Sequence, residues 1–246
     1  MASRDAIVAR ANEVLDVARW PEFAPPGAQV LGSEEVSRLA CGVSASLELF
    51  ERAAETGAEL LVVHHGLFWR NEPLLVDRRQ QRRLEALFQA DMTLLAYHLA
   101  LDAHPELGNN ARLARAIGVE PETPFAELGT GGRTSPVSIV ELAGRVADAV
   151  GREPLVFAEG PEVVERVAVV TGGGGRYVLE AAHAGYDALV TGEPEEPSLA
   201  AARELGIHFI AAGHYATERL GVQALTALLA DEFALPWEFV EVENPV

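Results

Sequence analysis

The chain has 246 residues, is 49% hydrophobic, and carries 37 acidic against 19 basic residues for a formal net charge of -18. Such a surface repels phosphate backbones and anionic membranes and contains no long basic run, which argues against nucleic-acid binding, while it attracts metal cations. The single cysteine, Cys41, excludes an intrachain disulfide, and with no membrane-length apolar stretch and no signal-type leader the expectation is a cytoplasmic protein with no membrane span.

Residues 4 to 16 read as a helix with Ser3 at its N-cap and Ile7, Val8, Ala11 and Leu15 as its apolar stripe. The prolines and glycines of PEFAPPGAQVLG make the next stretch loop. VSRLACGV is a short strand, and SASLELFERAAETGA is a helix stopped by Gly57 in a left-handed cap. ELLVVHH is a continuous apolar run without alternation, the pattern of a parallel strand covered on both faces. A charged helix at about 78 to 90 follows, then the strand MTLLAYH, then a loop that becomes a helix in HPELGNNARLARAIGV. Strand and helix alternating over short connections predict an α/β protein with right-handed crossovers.

Residues 121 to 136, PETPFAELGTGGRTSP, hold little to pack and mark a boundary or a surface excursion. We therefore divide the chain into a first α/β lobe, 1–125, and a second, 126–246. The second begins with a helix near 137 to 150 and the strand PLVFA. VERVAVV is a strand running into the TGGGG turn, RYVLEAAHAG a helix, and YDALVTGE a strand. A further helix leads to the strand IHFIAAGH, a long helix from about 215 to 230, and an edge strand, PWEFVEV.

Three of these strands run out into histidine. In LLVVHHGLFW, His64 and His65 would point to opposite faces of a regular strand, but Gly66 would permit a turn there. Ligands of open α/β sheets bind beyond the carboxyl ends of strands, where two imidazoles suit a divalent ion. One packed and one solvent-facing histidine is the plainer alternative. YHLALDAHPELGNN adds His98, Asp102 and His104. A carboxylate beside imidazoles is a usual ligand mixture, against which stands an aspartate making a local turn bond. Asn109 and Asn110 read as caps of the following helix.

AAGHYATERLGVQAL places His214 and Glu218 four apart at a helix start, hence on one face. One open tetrahedral site needs roughly three protein ligands. His64, His65, Asp102, His214 and Glu218 exceed that and fit a pair of ions bridged by Glu218. Zn, Mn, Fe, Co and Ni all accept such donors. TGGGG lacks the lysine and hydroxyl of a P-loop; a tight turn is its first reading and an anion-binding row of N–H groups its second. Glu193, closing LVTGE, is either a base or substrate contact beside the ligands or a helix-entry carboxylate. His183, His208 and Cys41 read as structural, and Phe68 and Trp69 as core before pocket wall.

The segments FAPPGAQVLG, GVSAS, VVHHGLFW, YHLALDAHPELGNNA, TGGGG, LVTGE and AAGHYATERLGVQAL together, in this order, resemble the GTP cyclohydrolase 1 type 2 homologue family, dinuclear metal proteins related to a yeast transcription-factor-interacting protein. The resemblance implies two similar α/β lobes with mixed sheets flanked by helices, a dinuclear metal site between them, and assembly as a toroidal homohexamer, a trimer of dimers. It implies metal ligands at His64, His65, Asp102, His214 and Glu218, with His98 close by; we take His98 and Glu193 as proton carriers in catalysis. Tyr215 stands where relatives more usually carry a second histidine. The implied activity is metal-dependent hydrolysis of a small molecule, GTP or another nucleotide among the candidates. The sequence holds no strong basic motif for a triphosphate; Arg176 and Arg219 are the nearest candidates. A non-catalytic, ring-shaped metal-binding scaffold for a partner is the alternative.

Overall fold

The computed structural model describes every residue except Pro21 and Leu74. The chain forms two compact units, residues 1–101 with 221–243 and residues 102–220 with 244–246. This partition differs from the expected contiguous halves, 1–125 and 126–246, for two reasons. The strand Trp237–Phe239 pairs in parallel with Leu39–Ser44 and so belongs with the first unit. The helix Asn109–Ala116 buries Leu113 and Ala114 in the core of the second.

The first unit holds a five-stranded sheet in the order Trp237–Phe239, Leu39–Ser44, Leu60–His65, Thr93–Ala96, Gly27–Val30. Neighbours are parallel except the last pair, in which Gly27–Val30 runs antiparallel to Thr93–Ala96. Leu60, Leu61, Val62 and Val63 are all fully buried, which accounts for the unbroken apolar run. One face packs on Leu49, Phe50 and Ala53 of the helix Leu47–Glu55 and on Leu87 of Arg78–Gln89. Each fully buried leucine or phenylalanine contributes about 1.5–3 kcal/mol. The Ser46 side chain accepts the Leu49 N–H at the start of Leu47–Glu55, and Gly57, at φ 75°, follows its end as expected. Ser3 does stand at the N-cap of Arg4–Leu15, with no side-chain cap bond.

The second unit holds a six-stranded sheet in the order Glu120–Phe125, Gly129–Val137, Val164–Val170, Ala188–Thr191, His208–Ala211, Leu155–Phe157. The three strands from Val164 to Ala211 are mutually parallel, and the strands flanking them are antiparallel. Residues 121 to 136 are therefore not an excursion but most of a hairpin within this sheet. Their glycines are where neighbours come close. A Cβ on Gly131 would overlap the Tyr186 ring, and one on Gly129 would stand 2.7 Å from the Val169 carbonyl oxygen. Among the described residues no helix is long and apolar enough to cross a membrane.

Candidate metal centre

In the first unit, His64 and His65 are the last two residues of the strand Leu60–His65, and His98 follows the neighbouring parallel strand Thr93–Ala96. Adjacent strand residues should face apart, yet the His64 and His65 ring centroids are 4.8 Å apart. The strand stops at His65, so strict alternation no longer holds. Gly66 does not turn the chain through a left-handed conformation; it is small because Gln29 and Ala96 crowd it. The His98 ring lies 5.0 Å from that of His64 and 5.5 Å from that of His65. One ligand nitrogen from each of the three histidines falls within 4.8 Å of the others.

The tautomers are set by their partners. His64 Nδ1 lies 2.9 Å from the Tyr97 carbonyl oxygen, to which it can only donate, which puts the ring's basic lone pair at Nε2. His65 Nδ1 shares a 3.0 Å bond with the Ser44 hydroxyl. His98 Nδ1 is buried without a hydrogen-bond partner among the described residues, 3.7 Å from Glu22 Oε2. Glu22 itself is buried, its two oxygens accepting the N–H groups of Leu99 and Ala100 at 3.1 and 2.9 Å. Sequence reasoning missed Glu22: a lone carboxylate in a proline-rich loop carries no periodic signal.

In the second unit, the expected long helix is split. His214–Thr217 forms one turn, opened by Gly213 at φ 95°, and Glu218 at φ -103°, ψ 8° separates it from Arg219–Phe233. The turn still brings His214 Nε2 within 3.2 Å of Glu218 Oε2. On the other side of the ring, His214 Nδ1 lies 2.8 Å from Glu193 Oε1, beyond the strand Ala188–Thr191. Burial pulls the His214 pKa down, but the hydrogen bonds and charges of Glu218 and Glu193 outweigh it and raise the pKa to about 9. Two carboxylates around one imidazole make a place that calls for positive charge, a proton or a metal ion.

Asp102 is buried at the end of the turn Leu99–Asp102, and its Oδ1 accepts from Asn109 Nδ2 at 2.8 Å. Neither asparagine caps the following helix, whose N-cap is Gly108. Asn109 orients Asp102. Asn110 accepts from the Thr171 N–H at 2.7 Å and donates to the carbonyls of Leu128 and Asp102. TGGGG is a turn that packs against His214 and Glu218. A Cβ on Gly172 would overlap Glu218 Oε1 and stand 3.1 Å from His214 Nε2. The Gly172 N–H bonds to the Thr217 hydroxyl at 3.0 Å.

The remaining candidates serve elsewhere. His104 Nδ1 accepts the N–H groups of Glu106 and Leu107 in a turn. His208 bonds the Gly160 N–H and the Pro161 carbonyl, and His183 closes the helix Val178–His183. Arg176 is exposed and lies over the Tyr177 ring, and Arg219 donates to the Val150 carbonyl. Phe68 and Trp69 are not core: Phe68 is exposed and Trp69 half-buried.

These features fit divalent ions. Buried carboxylates need a cation or strong hydrogen bonds, and imidazoles held through Nδ1 by oxygen are the usual form of a histidine ligand. The glycine at 172 keeps clear the space that a side chain would fill beside Glu218 and His214.

A family model described as Duf34/NIF3 (NGG1p interacting factor 3) matches residues 2–245. Proteins named GTP cyclohydrolase 1 type 2 homolog from Pseudomonas aeruginosa and Escherichia coli K12 are each 44% identical to this chain. The first match covers 97% of both chains, the second 95% of this chain and 96% of the relative. Among solved structures, one titled protein ybgI, unknown function, superimposes with a TM-score of 0.96 at 42% identity, and TTHA1606 from Thermus thermophilus with 0.94 at 36%; each match covers 100% of both chains.

Proposed function

The chain belongs to the Duf34/NIF3 family, and from that membership we propose a hydrolase of a small heterocyclic or phosphorylated metabolite, dependent on two divalent ions. In this reading His64, His65, Asp102, His214 and Glu218 are the ligands, and Glu218 serves both ions. The donors suit Zn, Mn, Fe, Co or Ni. Ions bound there would supply Lewis-acid polarisation and lower the pKa of a water.

The observation that carries the reading is the orientation of the imidazoles. His64 is fixed by the Tyr97 carbonyl and His214 by Glu193, so each offers Nε2 as the ligand nitrogen. Glu193 holds the proton at His214 Nδ1. His98, with Nδ1 towards Glu22, carries a proton to or from the substrate through Nε2. The protein works in the cytoplasm as a homohexamer, a trimer of dimers, and takes no nucleic acid.

The test is turnover by metal-loaded protein across nucleobases, nucleosides and nucleotides, GTP included, with metal content and oligomer mass measured on the same sample. The expected result is hydrolysis that His65→Ala and Glu218→Ala abolish while both variants remain folded. Two bound ions with no turnover across the panel would replace the hydrolase with the metal-binding scaffold.

A further inference from the structure

We infer that the loop after the histidine pair carries a binding face for a flat, uncharged heterocyclic ring, with Trp69 and Phe68 as its stacking surfaces; the inference rests on the hydrolase reading only for what happens to that ring once bound. The Trp69 indole stands next to the metal-site imidazoles, 5.9 Å from the His65 ring and 5.1 Å from the His98 ring, meeting the latter edge to face at 81°. Its Nε1–H donates to the Gly66 carbonyl at 3.0 Å, which fixes the ring's orientation and leaves stacking as its means of recognition.

Two cavities meet on this side chain. One of about 420 Å³ is lined by Phe68, Trp69, Leu75 and Val76, the other of about 340 Å³ by Trp20, Phe23, Phe68 and Trp69. Small-molecule sites run from about 300 to 1,000 Å³. Phe68, Phe23, Leu75 and Val76 are 38, 54, 62 and 64% exposed, a local concentration of large apolar side chains in water. His65 and His98, beside the Trp69 ring, point to a small substrate as the occupant.

The charges decide the class of ring. Arg79 in the first cavity is paired with Glu72 at 3.2 Å, and Asp77 adds a second carboxylate there. Arg70 in the second donates to the Glu22 carbonyl oxygen at 3.0 Å. Carboxylates therefore outnumber arginines in the larger cavity, and among the described residues its own walls offer a triphosphate no unpaired cation. A neutral ring needs none.

Calorimetric titration of the zinc-loaded protein tests this, using uncharged purine, pteridine and pyridine rings with guanosine and GTP as the charge comparison. At least one neutral ring should bind saturably, and GTP no tighter than guanosine. Trp69→Ala and Phe68→Ala should each weaken ring binding about tenfold, the scale of one lost stacking contact. Trp69→Phe should recover most of it, and zinc content should stay unchanged in all three. Phe68→Ala removes an exposed side chain and so protects the test against misfolding at Trp69. Failure of every neutral ring to bind, equal affinity in the alanine variants, or GTP binding far above guanosine would each overturn the inference. Rings that bind but are never hydrolysed would leave it standing and remove the hydrolase; turnover with an unchanged KM in both alanine variants would do the reverse.

Discussion

Gly172 lies against Glu218 so closely that a methyl group at its Cα would overlap the carboxylate, and its φ of 63° is one that an L-residue adopts at a cost. Both faults arise in Gly172→Ala. The left-handed backbone alone costs about 1–2 kcal/mol, a loss of a few degrees in Tm for a chain of this size. The displaced carboxylate should also cut bound metal below two equivalents. Elemental analysis beside a thermal melt checks this; full metal content in the variant would show that Glu218 does not need the space.

Glu193 is expected to act through His214 alone. Removing a carboxylate that orients a histidine ligand typically lowers metal affinity by about 10–100-fold. Glu193→Ala should show that loss in competition with a chromophoric chelator. Glu193→Gln, which can still accept from Nδ1, should recover part of it. Equal affinity in wild type and Glu193→Ala would count against the 2.8 Å contact as a device for holding the ligand.

Asn110 links three segments of the second unit, bonding Thr171, Leu128 and Asp102 from a buried position. Truncation strands the Thr171 N–H and the Leu128 carbonyl, and each buried group left unsatisfied costs about 1–3 kcal/mol. Asn110→Ala should therefore lose roughly 2 kcal/mol or more, read from urea denaturation. A loss below about 1 kcal/mol, near the worth of one exposed bond, would contradict the network.

Cys41 is fully buried, and burial pushes its thiol up to about 12, with the Thr226 hydrogen bond opposing. The unfolded thiol ionises near its ordinary value of about 8.5. Above that pH the unfolded chain binds fewer protons than the folded one, so stability falls as pH rises, by at most about 1.4 kcal/mol per unit from this group. Urea melts between about pH 8 and 10, the range that brackets the unfolded thiol, should show that slope, and it should flatten in Cys41→Ala. At the lower end of that range a thiol reagent should label the native protein slowly and the denatured protein fast.

Much of the architecture was legible in the sequence, and the exceptions share a cause. Leu60 to Val63 announced a buried parallel strand because uninterrupted apolar side chains have no other economical place. The histidines at strand ends were legible because the apolar run stops at them: His64 and His65 are the last two residues of Leu60–His65. Residues 121 to 136 misled because packing was judged by side-chain bulk, whereas Gly129 and Gly131 pack through their backbones. Asn109 and Asn110 followed the local rule for caps, and longer-range bonds overrode it. Glu22 reaches Leu99 and Ala100 across 77 and 78 positions, a separation no periodicity registers. Phe68 and Trp69 read as core on hydrophobicity, which does not distinguish a filled interior from the wall of a cavity.

The strand Leu39–Ser44 pairs with Trp237–Phe239, a segment made only near the end of the chain. A ribosome must complete all of residues 102–220 before the partner of that early strand exists. The middle of the chain can therefore collapse and settle while the beginning still waits with an unprotected sheet edge. Until that strand is made, the edge of Leu39–Ser44 is open to pairing with other chains, and a nonsense mutation late in the gene would leave the amino-terminal portion in that condition.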